Sequence, residues 1–149
     1  MSRSIRYQGA IVRDHQILLI RHLDDTAGLS YWVVPGGGIE PGESEEACVQ
    51  REMQEETNLD VRVIRLLLDE PGIPGGVYQS LKTYLCEIQD GQASPGYEPE
   101  AEVGYSIAEV GWFDLRDATT WRTEVVSDSI TYPALRRIQA ALGYPDSSV

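Results

Sequence analysis

The sequence has little of several features that identify particular classes of protein. Only two cysteines occur in 149 residues, and Cys48 and Cys86 lack the paired spacing of zinc ligands, which favours two buried thiols over a metal centre. No run of about 18 apolar residues is present, so we expect no membrane-spanning helix and no membrane partner. The first residues also lack the apolar core of a signal peptide. We therefore expect a soluble, cytoplasmic protein.

Basic residues are scarce as well. The chain has 12 Lys and Arg residues against 24 Asp and Glu residues, which gives a net charge of −12. Nucleic acids are usually bound by clusters of Lys and Arg that neutralise phosphates, so this charge argues against a nucleic-acid partner and favours a small molecule. A free polyphosphate would also be repelled, so a phosphorylated substrate would arrive together with metal cations. Solubility alone accounts for most of the other acidic residues.

The size of the chain is that of one ordinary domain, with 149 residues and a hydrophobic content of 42%. We predict a single domain over residues 1–149, with a flexible tail from about residue 143. Residues 89–103 are expected to form a long loop. Apolar periodicity and turn residues predict strands over 5–13, 16–21, 31–34, 61–69, 77–87 and 108–113, and helices over 44–57 and 131–142. Local periodicity alone supports only an α+β or α/β fold.

The most informative segment is the predicted helix that carries Glu52, Glu55 and Glu56. Residues three and four apart are neighbours on a helix, so these carboxylates share one face. Each like-charged pair at that spacing destabilises a helix by about 0.2–0.5 kcal/mol, and a hard divalent cation would remove the conflict. Carboxylate oxygens suit Mg²⁺ or Mn²⁺ better than zinc. A solvated acidic surface is the alternative interpretation.

A glycine-rich turn precedes this helix. Pro35, Gly36, Gly37 and Gly38 follow the apolar strand predicted over 31–34, and glycine lets the backbone approach a ligand closely. The run matches neither the dinucleotide fingerprint nor the Walker A pattern, which ends in Gly-Lys-Ser/Thr. By itself it is equally consistent with a simple turn.

Together, the turn and the helix resemble the signature of one enzyme family. After Gly37 the chain has five residues, a glutamate, seven residues, and then Arg-Glu-Met-Gln-Glu-Glu-Thr-Asn-Leu. This pattern resembles the Nudix box, which would span Gly37 to Leu59. One fixed position departs from it, because Asn58 stands where the family has glycine. Asparagine is the residue that best replaces glycine in the left-handed conformation of a helix end, so we expect the helix to end normally.

The resemblance implies an α/β fold, a Nudix-type α/β/α sandwich with a mixed, bent β-sheet between the box helix and a C-terminal helix. It also implies hydrolysis of the pyrophosphate linkage of a nucleoside diphosphate derivative, with Mg²⁺ or Mn²⁺ as the cofactor. Arg51, Glu52 and Glu55 are the expected catalytic residues, with Glu52 as general base and Arg51 orienting the carboxylates. Glu43 would support the loop or bind a further ion. The expected metal ligands are Glu52, Glu55, Glu56 and the carbonyl of Gly36.

Several assignments stay open. Some Nudix enzymes use a base outside the box, and the acidic loop offers three candidates for an extra base or ligand: Glu98, Glu100 and Glu102. Substrate contacts are expected from Gly37 and Gly38. Trp32 and Arg21 are weaker candidates, for which core packing and surface charge are the alternatives. The resemblance leaves three kinds of substrate open: a nucleoside triphosphate, a nucleotide sugar or a dinucleoside polyphosphate. A homodimer is compatible with the sequence. A non-catalytic, nucleotide-sensing module of the same fold is the alternative function.

Overall fold

A computed structural model describes residues 4–97 and 105–145. No helix in this part of the chain is long and apolar enough to cross a membrane. A short 3-10 turn, Ala118–Thr120, lies between the last strand and the helices that follow it. The described strands and α-helices, in chain order, are β1 (Ile5–Arg13), β2 (Gln16–Asp24), β3 (Leu29–Val33), β4 (Gly36–Gly37), α1 (Glu45–Thr57), β5 (Asp60–Pro71), β6 (Ser80–Asp90), β7 (Tyr105–Asp114), α2 (Thr123–Val126) and α3 (Thr131–Ala141).

The strands form one mixed sheet with β1 at its centre. The main path is β3-β2-β1-β6-β5, with β7 paired to β2 and the two-residue strand β4 paired to β1. Strands β1 and β6 run parallel, and the other pairs are antiparallel. Tyr7 lies opposite Gly37 and Gln8 lies opposite Gly36. This pairing fixes the glycine turn against the central strand.

Helices α1 and α3 cover opposite faces of the sheet. Leu18 of β2 belongs to the apolar cluster that contains Val49 and Met53 of α1. Its neighbours Ile17 and Leu19 belong to the cluster that contains residues of α3. Successive side chains of a strand point to opposite faces, so the two clusters lie on either side of the sheet. The predicted α/β/α sandwich with a mixed sheet is therefore confirmed.

The hairpin of β2 and β3 is longer than predicted. Strand β2 continues to Asp24 rather than to residue 21, and β3 begins at Leu29 rather than at residue 31. The Asp24 carboxylate accepts hydrogen bonds from the Thr26 amide and hydroxyl and from the Ala27 amide, at 3.1, 2.7 and 3.2 Å. Side-chain hydrogen bonds stabilise this turn. Apolar periodicity does not reveal such bonds, so the sequence predicts a loop for the polar segment.

The remaining differences are shifted strand ends and one short helix. Strand β6 begins at Ser80 rather than at residue 77, because Val77 lies in the preceding loop with 69% of its surface exposed. Helix α2 was not predicted. In the expected flexible tail, the Tyr144 hydroxyl lies 2.8 Å from Nδ1 of His15, and residues 146–149 lie outside the described part of the chain.

Candidate active site

Helix α1 positions the carboxylates through caps at both ends and an apolar inner face. At its start the Ser44 hydroxyl accepts a hydrogen bond from the Ala47 amide at 3.1 Å. Burial of Val49 and Met53 holds the inner face against the sheet, and each such side chain contributes about 1.5–3 kcal/mol, more than the repulsion between the glutamates costs. At its end Asn58 adopts φ 60° and ψ 25°. The predicted left-handed helix end is therefore confirmed.

The three helical glutamates differ in their surroundings. Glu52 and Glu56 are fully buried, whereas 23% of the Glu55 side chain is exposed. An ionised carboxylate is strongly destabilised away from water unless charge or hydrogen bonds compensate for it. The alternative of a solvated acidic surface is therefore wrong for Glu52 and Glu56.

The glycine turn contacts these buried carboxylates directly. The Gly36 amide donates a hydrogen bond to Oε1 of Glu56 at 2.9 Å. A side chain at Gly37 would overlap the Glu52 carboxylate, and one at Gly36 would overlap the backbone of β1. Close approach, rather than an unusual φ angle, thus requires glycine at both positions. The turn forms one wall of the carboxylate site.

Arg51 links the turn to the carboxylates. Its Nε and Nη2 donate to the two oxygens of Glu43 at 2.7 and 3.0 Å, and Nη2 also donates to the Gly38 carbonyl at 3.0 Å. Its Nη1 lies 3.0 Å from Oε1 of Glu55 and 3.3 Å from Oε2 of Glu52. The hydrogen bonds between Arg51 and Glu43 lower the pKa of the carboxyl and raise the pKa of the guanidinium. Both groups therefore stay charged at neutral pH.

Cys48 lies beside this cluster, with its sulfur 3.9 Å from Nη2 of Arg51. Burial, followed by the charge of Glu43, raises the pKa of the Cys48 thiol to about 12. Burial also raises the pKa of Cys86 to about 12. A neutral thiol is neither a good nucleophile nor a good metal ligand. Both cysteines are buried packing residues, as predicted.

The oxygen donors of this site have the chemistry that Mg²⁺ and Mn²⁺ prefer. Within residues 4–97 and 105–145, no three Asp, Glu, His or Cys side chains already converge as a metal centre. Instead, the Arg51 guanidinium lies among Glu43, Glu52 and Glu55. The donor set therefore fits a hard divalent cation.

The two weaker candidates for substrate contact, Trp32 and Arg21, both contact other side chains of the protein. Trp32 is only 1% exposed, and its ring packs edge-on against Phe113 at a centroid distance of 5.4 Å. Its position in β3 directs the ring into the α3-side cluster, so Trp32 is a core residue and not a stacking platform. The Nε of Arg21 donates to Glu109 at 3.0 Å, which favours the alternative of a surface ion pair.

The three acidic-loop residues have no described structure. Glu98, Glu100 and Glu102, predicted as an extra base or ligand, lie outside the described residues and stay predictions. Glu109, which follows that loop, also accepts a hydrogen bond from Arg122 at 2.9 Å. Arg122 and then Arg21 lower the pKa of Glu109. Glu109 is thus engaged in an ion-pair network with two arginines.

A pocket of about 240 Å³ adjoins the start of the glycine turn on the α3 side of the sheet. Arg6 donates to the Gln8 side-chain oxygen at 3.2 Å and to the Val34 carbonyl at 2.9 Å, which gives the pocket a polar floor. Ile73 and Ile130 line its rim and are 44% and 51% exposed. The sequence does not reveal this pocket because its walls come from separate segments. The local signal was that two polar residues, Arg6 and Gln8, lie in the largely apolar strand β1.

The fold and the site define a class of protein: an α/β/α domain in which a glycine turn, an arginine and a buried acidic helix form one hydrogen-bonded unit. A NUDIX domain model matches residues 5–132 of the chain. The chain therefore belongs to the NUDIX family.

Individual proteins with similar sequences or structures agree with this membership. NAD-capped RNA hydrolase NudC of Photobacterium profundum is 33% identical over 90 residues, which cover 60% of this chain and 32% of that protein. The chain spans about a third of the length of the curated NudC relatives it matches. The crystal structure of a MutT NUDIX hydrolase from Burkholderia pseudomallei is 29% identical, with a TM-score of 0.65 over 90% of this chain and 96% of that one. An ADP-ribose pyrophosphatase from Streptococcus suis shares the fold, with 20% identity and a TM-score of 0.66 over 99% of this chain and 97% of that one.

Proposed function

We propose that this protein is a Mg²⁺-dependent hydrolase that cleaves the pyrophosphate linkage of a nucleoside diphosphate derivative. The observation that carries the proposal is the pair of fully buried carboxylates, Glu52 and Glu56, held against Gly37 and Gly36. Two buried carboxylates favour a nearby cation, because an ionised carboxylate is strongly destabilised outside water. Their position beside a glycine turn places that cation where phosphate groups can approach the backbone.

The proposal assigns a role to each of these residues. Glu52, Glu55 and Glu56, with the carbonyl of Gly36, would hold the cation. Mg²⁺, when bound, supplies positive charge that neutralises phosphate oxygens and favours the ionisation of water. Glu52 is the proposed general base, because its carboxylate is held against the glycine turn. Arg51 orients Glu52 and Glu55, and its bond to the turn keeps its guanidinium in place.

The pocket on the α3 side is the proposed site for the nucleoside. One of its walls is Val34, two residues before Gly36, so the pocket adjoins the turn on which the diphosphate would lie. Ile73 and Ile130 offer apolar surfaces for a planar base. The Gln8 amide, which also donates to the Thr83 hydroxyl at 2.9 Å, supplies a fixed polar group. An apolar pocket with few oriented polar groups is typical of small-molecule sites.

The names of similar proteins support this substrate class. NudC is a hydrolase of NAD-capped RNA, and the Streptococcus suis protein is an ADP-ribose pyrophosphatase. Both NAD and ADP-ribose contain an adenosine diphosphate group. The net charge of −12 favours a small molecule over an RNA, so the two kinds of substrate need a direct comparison.

Product release from a panel of compounds with Mg²⁺ tests the proposal. The panel comprises nucleoside triphosphates, ADP-ribose, NAD, a UDP-sugar, a dinucleoside polyphosphate and an NAD-capped RNA. On each compound that wild type cleaves, Glu52→Gln should lower kcat by about 10²–10⁴-fold, the usual contribution of a general base. Glu124→Gln makes the same change at an exposed residue of α2 and should retain wild-type activity. Equal kcat values for wild type and Glu52→Gln would contradict the proposed chemistry.

A nucleotide-sensing module is the second candidate function. It is favoured by the Arg51 guanidinium, whose positive charge already lies between Glu43 and Glu55. In that case, nucleotides should raise the melting temperature with Mg²⁺ present, because ligands that bind only the folded state stabilise it, but no compound should be turned over. The same panel therefore distinguishes the two functions.

A further inference from the structure

Residues 92–97, which follow β6, pack against the last turn of α1, and we call them the clasp. The last four carbonyls of an α-helix have no partner within the helix. Here the amides of Ser94, Gly96 and Tyr97 donate to the carbonyls of Thr57, Glu56 and Glu55 at 3.0, 3.0 and 2.7 Å. The preceding carbonyl, that of Gln54, accepts the ordinary helical bond from the Asn58 amide at 3.1 Å. A segment distant in sequence thus completes the helix end.

The side chain of Asn58 anchors the clasp. Its Nδ2 lies 2.9 Å from the Ser94 hydroxyl, 3.2 Å from the Pro95 carbonyl and 3.4 Å from the Ser94 carbonyl. A glycine would adopt the same left-handed backbone conformation but would provide none of these bonds. The asparagine therefore does more than replace glycine at a helix end.

Two glycines allow the clasp to approach the helix. A side chain at Gly96 would overlap the Glu55 carbonyl. Gly91 has φ 98°, and a side chain there would lie 2.7 Å from the Asn58 carbonyl. Ala93 packs against the apolar cluster beneath α1. Backbone bonds, close contacts and apolar packing thus all hold the clasp in the same position.

The clasped turn is also the turn that carries Glu55 and Glu56. The C-terminal end of a helix has a partial negative charge, which disfavours carboxylates there, and the three glutamates repel one another as well. Without a bound cation, both effects favour fraying of the last turn. The amides of the clasp offset the negative carbonyls and oppose that fraying. A helix end with this charge pattern therefore depends on the clasp to keep its shape.

We propose that Asn58 is a positioning residue for cation binding: by anchoring the clasp, it holds the turn that carries Glu55 and Glu56 in a geometry that binds a divalent cation. The inference rests on the proposed function, because it takes these glutamates as cation ligands. Asn58 acts through the helix backbone and needs no contact with the cation or the substrate.

Mn²⁺ binding, measured by the electron paramagnetic resonance signal of the free ion, tests the inference. Asn58→Gly should raise the Mn²⁺ dissociation constant by about tenfold, the lower end of the effect of residues that support metal ligands. Amide hydrogen exchange at Ser94, Gly96 and Tyr97 should become faster. Gly96→Ala should also weaken Mn²⁺ binding and speed amide exchange in the clasp, because its methyl group would overlap the Glu55 carbonyl and displace the clasp. This variant changes neither Asn58 nor a carboxylate.

Ser44→Ala is the matched control, because it removes the cap at the opposite end of the same helix. It should lower the melting temperature by about 2–4 °C and leave Mn²⁺ affinity and clasp exchange unchanged. If Asn58→Gly lowers the melting temperature similarly but binds Mn²⁺ like wild type, Asn58 is merely structural and the inference is overturned. If wild type itself binds no Mn²⁺, the proposed function is overturned together with it.

Discussion

The two faces of the central strand β1 carry sites of different character. On the α1 face, charged groups are held by short hydrogen bonds, and Arg51 contacts Glu43, Glu55 and Glu52 at 2.7 to 3.3 Å. On the α3 face lies a pocket of about 240 Å³ with an apolar rim. All of the proposed substrates share a pyrophosphate group and differ in the rest of the molecule. Under the proposed function, the α1 face would do the chemistry and the α3 face would select the substrate.

Disrupting the α1 face should have the largest effect. In Gly37→Ala, the added methyl group overlaps the Glu52 carboxylate and must displace it. Because Glu52 is the proposed general base, kcat should fall by about 10³-fold, or about 4 kcal/mol in activation free energy. Steady-state kinetics on a compound identified in the panel would measure this loss.

Gly28→Ala is the control for Gly37→Ala. Gly28 lies in the turn between β2 and β3, has φ 67°, and has open space where a side chain would lie. The substitution should destabilise the fold by about 1–2 kcal/mol through backbone strain, yet leave kcat unchanged. Equal losses of activity in the two variants would show that the effect at Gly37 is general destabilisation.

The α1 face was predictable from sequence because its main parts lie close together in the chain. Glu52, Glu55 and Glu56 lie on one helix, so residue spacing alone places them on a common face. The roles of Glu43 and Arg51 were implied by the resemblance to the Nudix box. Burial was harder to predict, since a charged helix face is more often solvated. Only the contact between Gly37 and Glu52 shows why the carboxylate is enclosed.

The parts that were missed depend on contacts between distant segments. The pocket combines Gln8 with Ile73 and Ile130, which have no common spacing in the sequence. The bond between Asn58 and Ser94 joins residues 36 positions apart, so the sequence indicated the backbone role of Asn58 but not its anchoring role. For Trp32 the sequence left substrate contact and core packing open, because an aromatic residue beside a motif gives no information about which face of the strand it occupies, and its burial favours core packing.

Acid should also destabilise the fold, and at a higher pH through His22 of β2 than through Glu43. Burial, and then the charge of Arg6, lower the pKa of His22 to about 4, and Arg6 lines the pocket. The unfolded chain therefore takes up this proton first, and stability should be lost as pH falls from about 6.5 to about 4, by about 3 kcal/mol at most. Hydrogen bonds from Arg51 lower the pKa of Glu43, so its contribution is present above the usual glutamate pKa and is lost as pH falls from that value toward the lowered pKa.

Chemical denaturation at several pH values would check this response. His22→Phe keeps a ring against Tyr31, which stacks on His22 at a centroid distance of 5.5 Å, and removes the titrating group. The variant should lose less stability than wild type between pH values of about 6.5 and about 4.5. If both proteins show the same slope in that range, the acid response does not come from His22.

Changing the rim of the pocket should have the smallest effect and the clearest kinetic signature. Ile130→Ala removes apolar surface that would contact the base in the bound substrate and in the transition state alike, so KM should rise by about five- to tenfold with kcat unchanged. Val126→Ala is the control, because Val126 is 44% exposed and Ile130 is 51% exposed, but Val126 does not line the pocket. This variant should leave KM unchanged. A fall in kcat at constant KM in Ile130→Ala would mean that the pocket takes part in the chemical step. Substrate selection and catalysis would then not be divided between the two faces of β1.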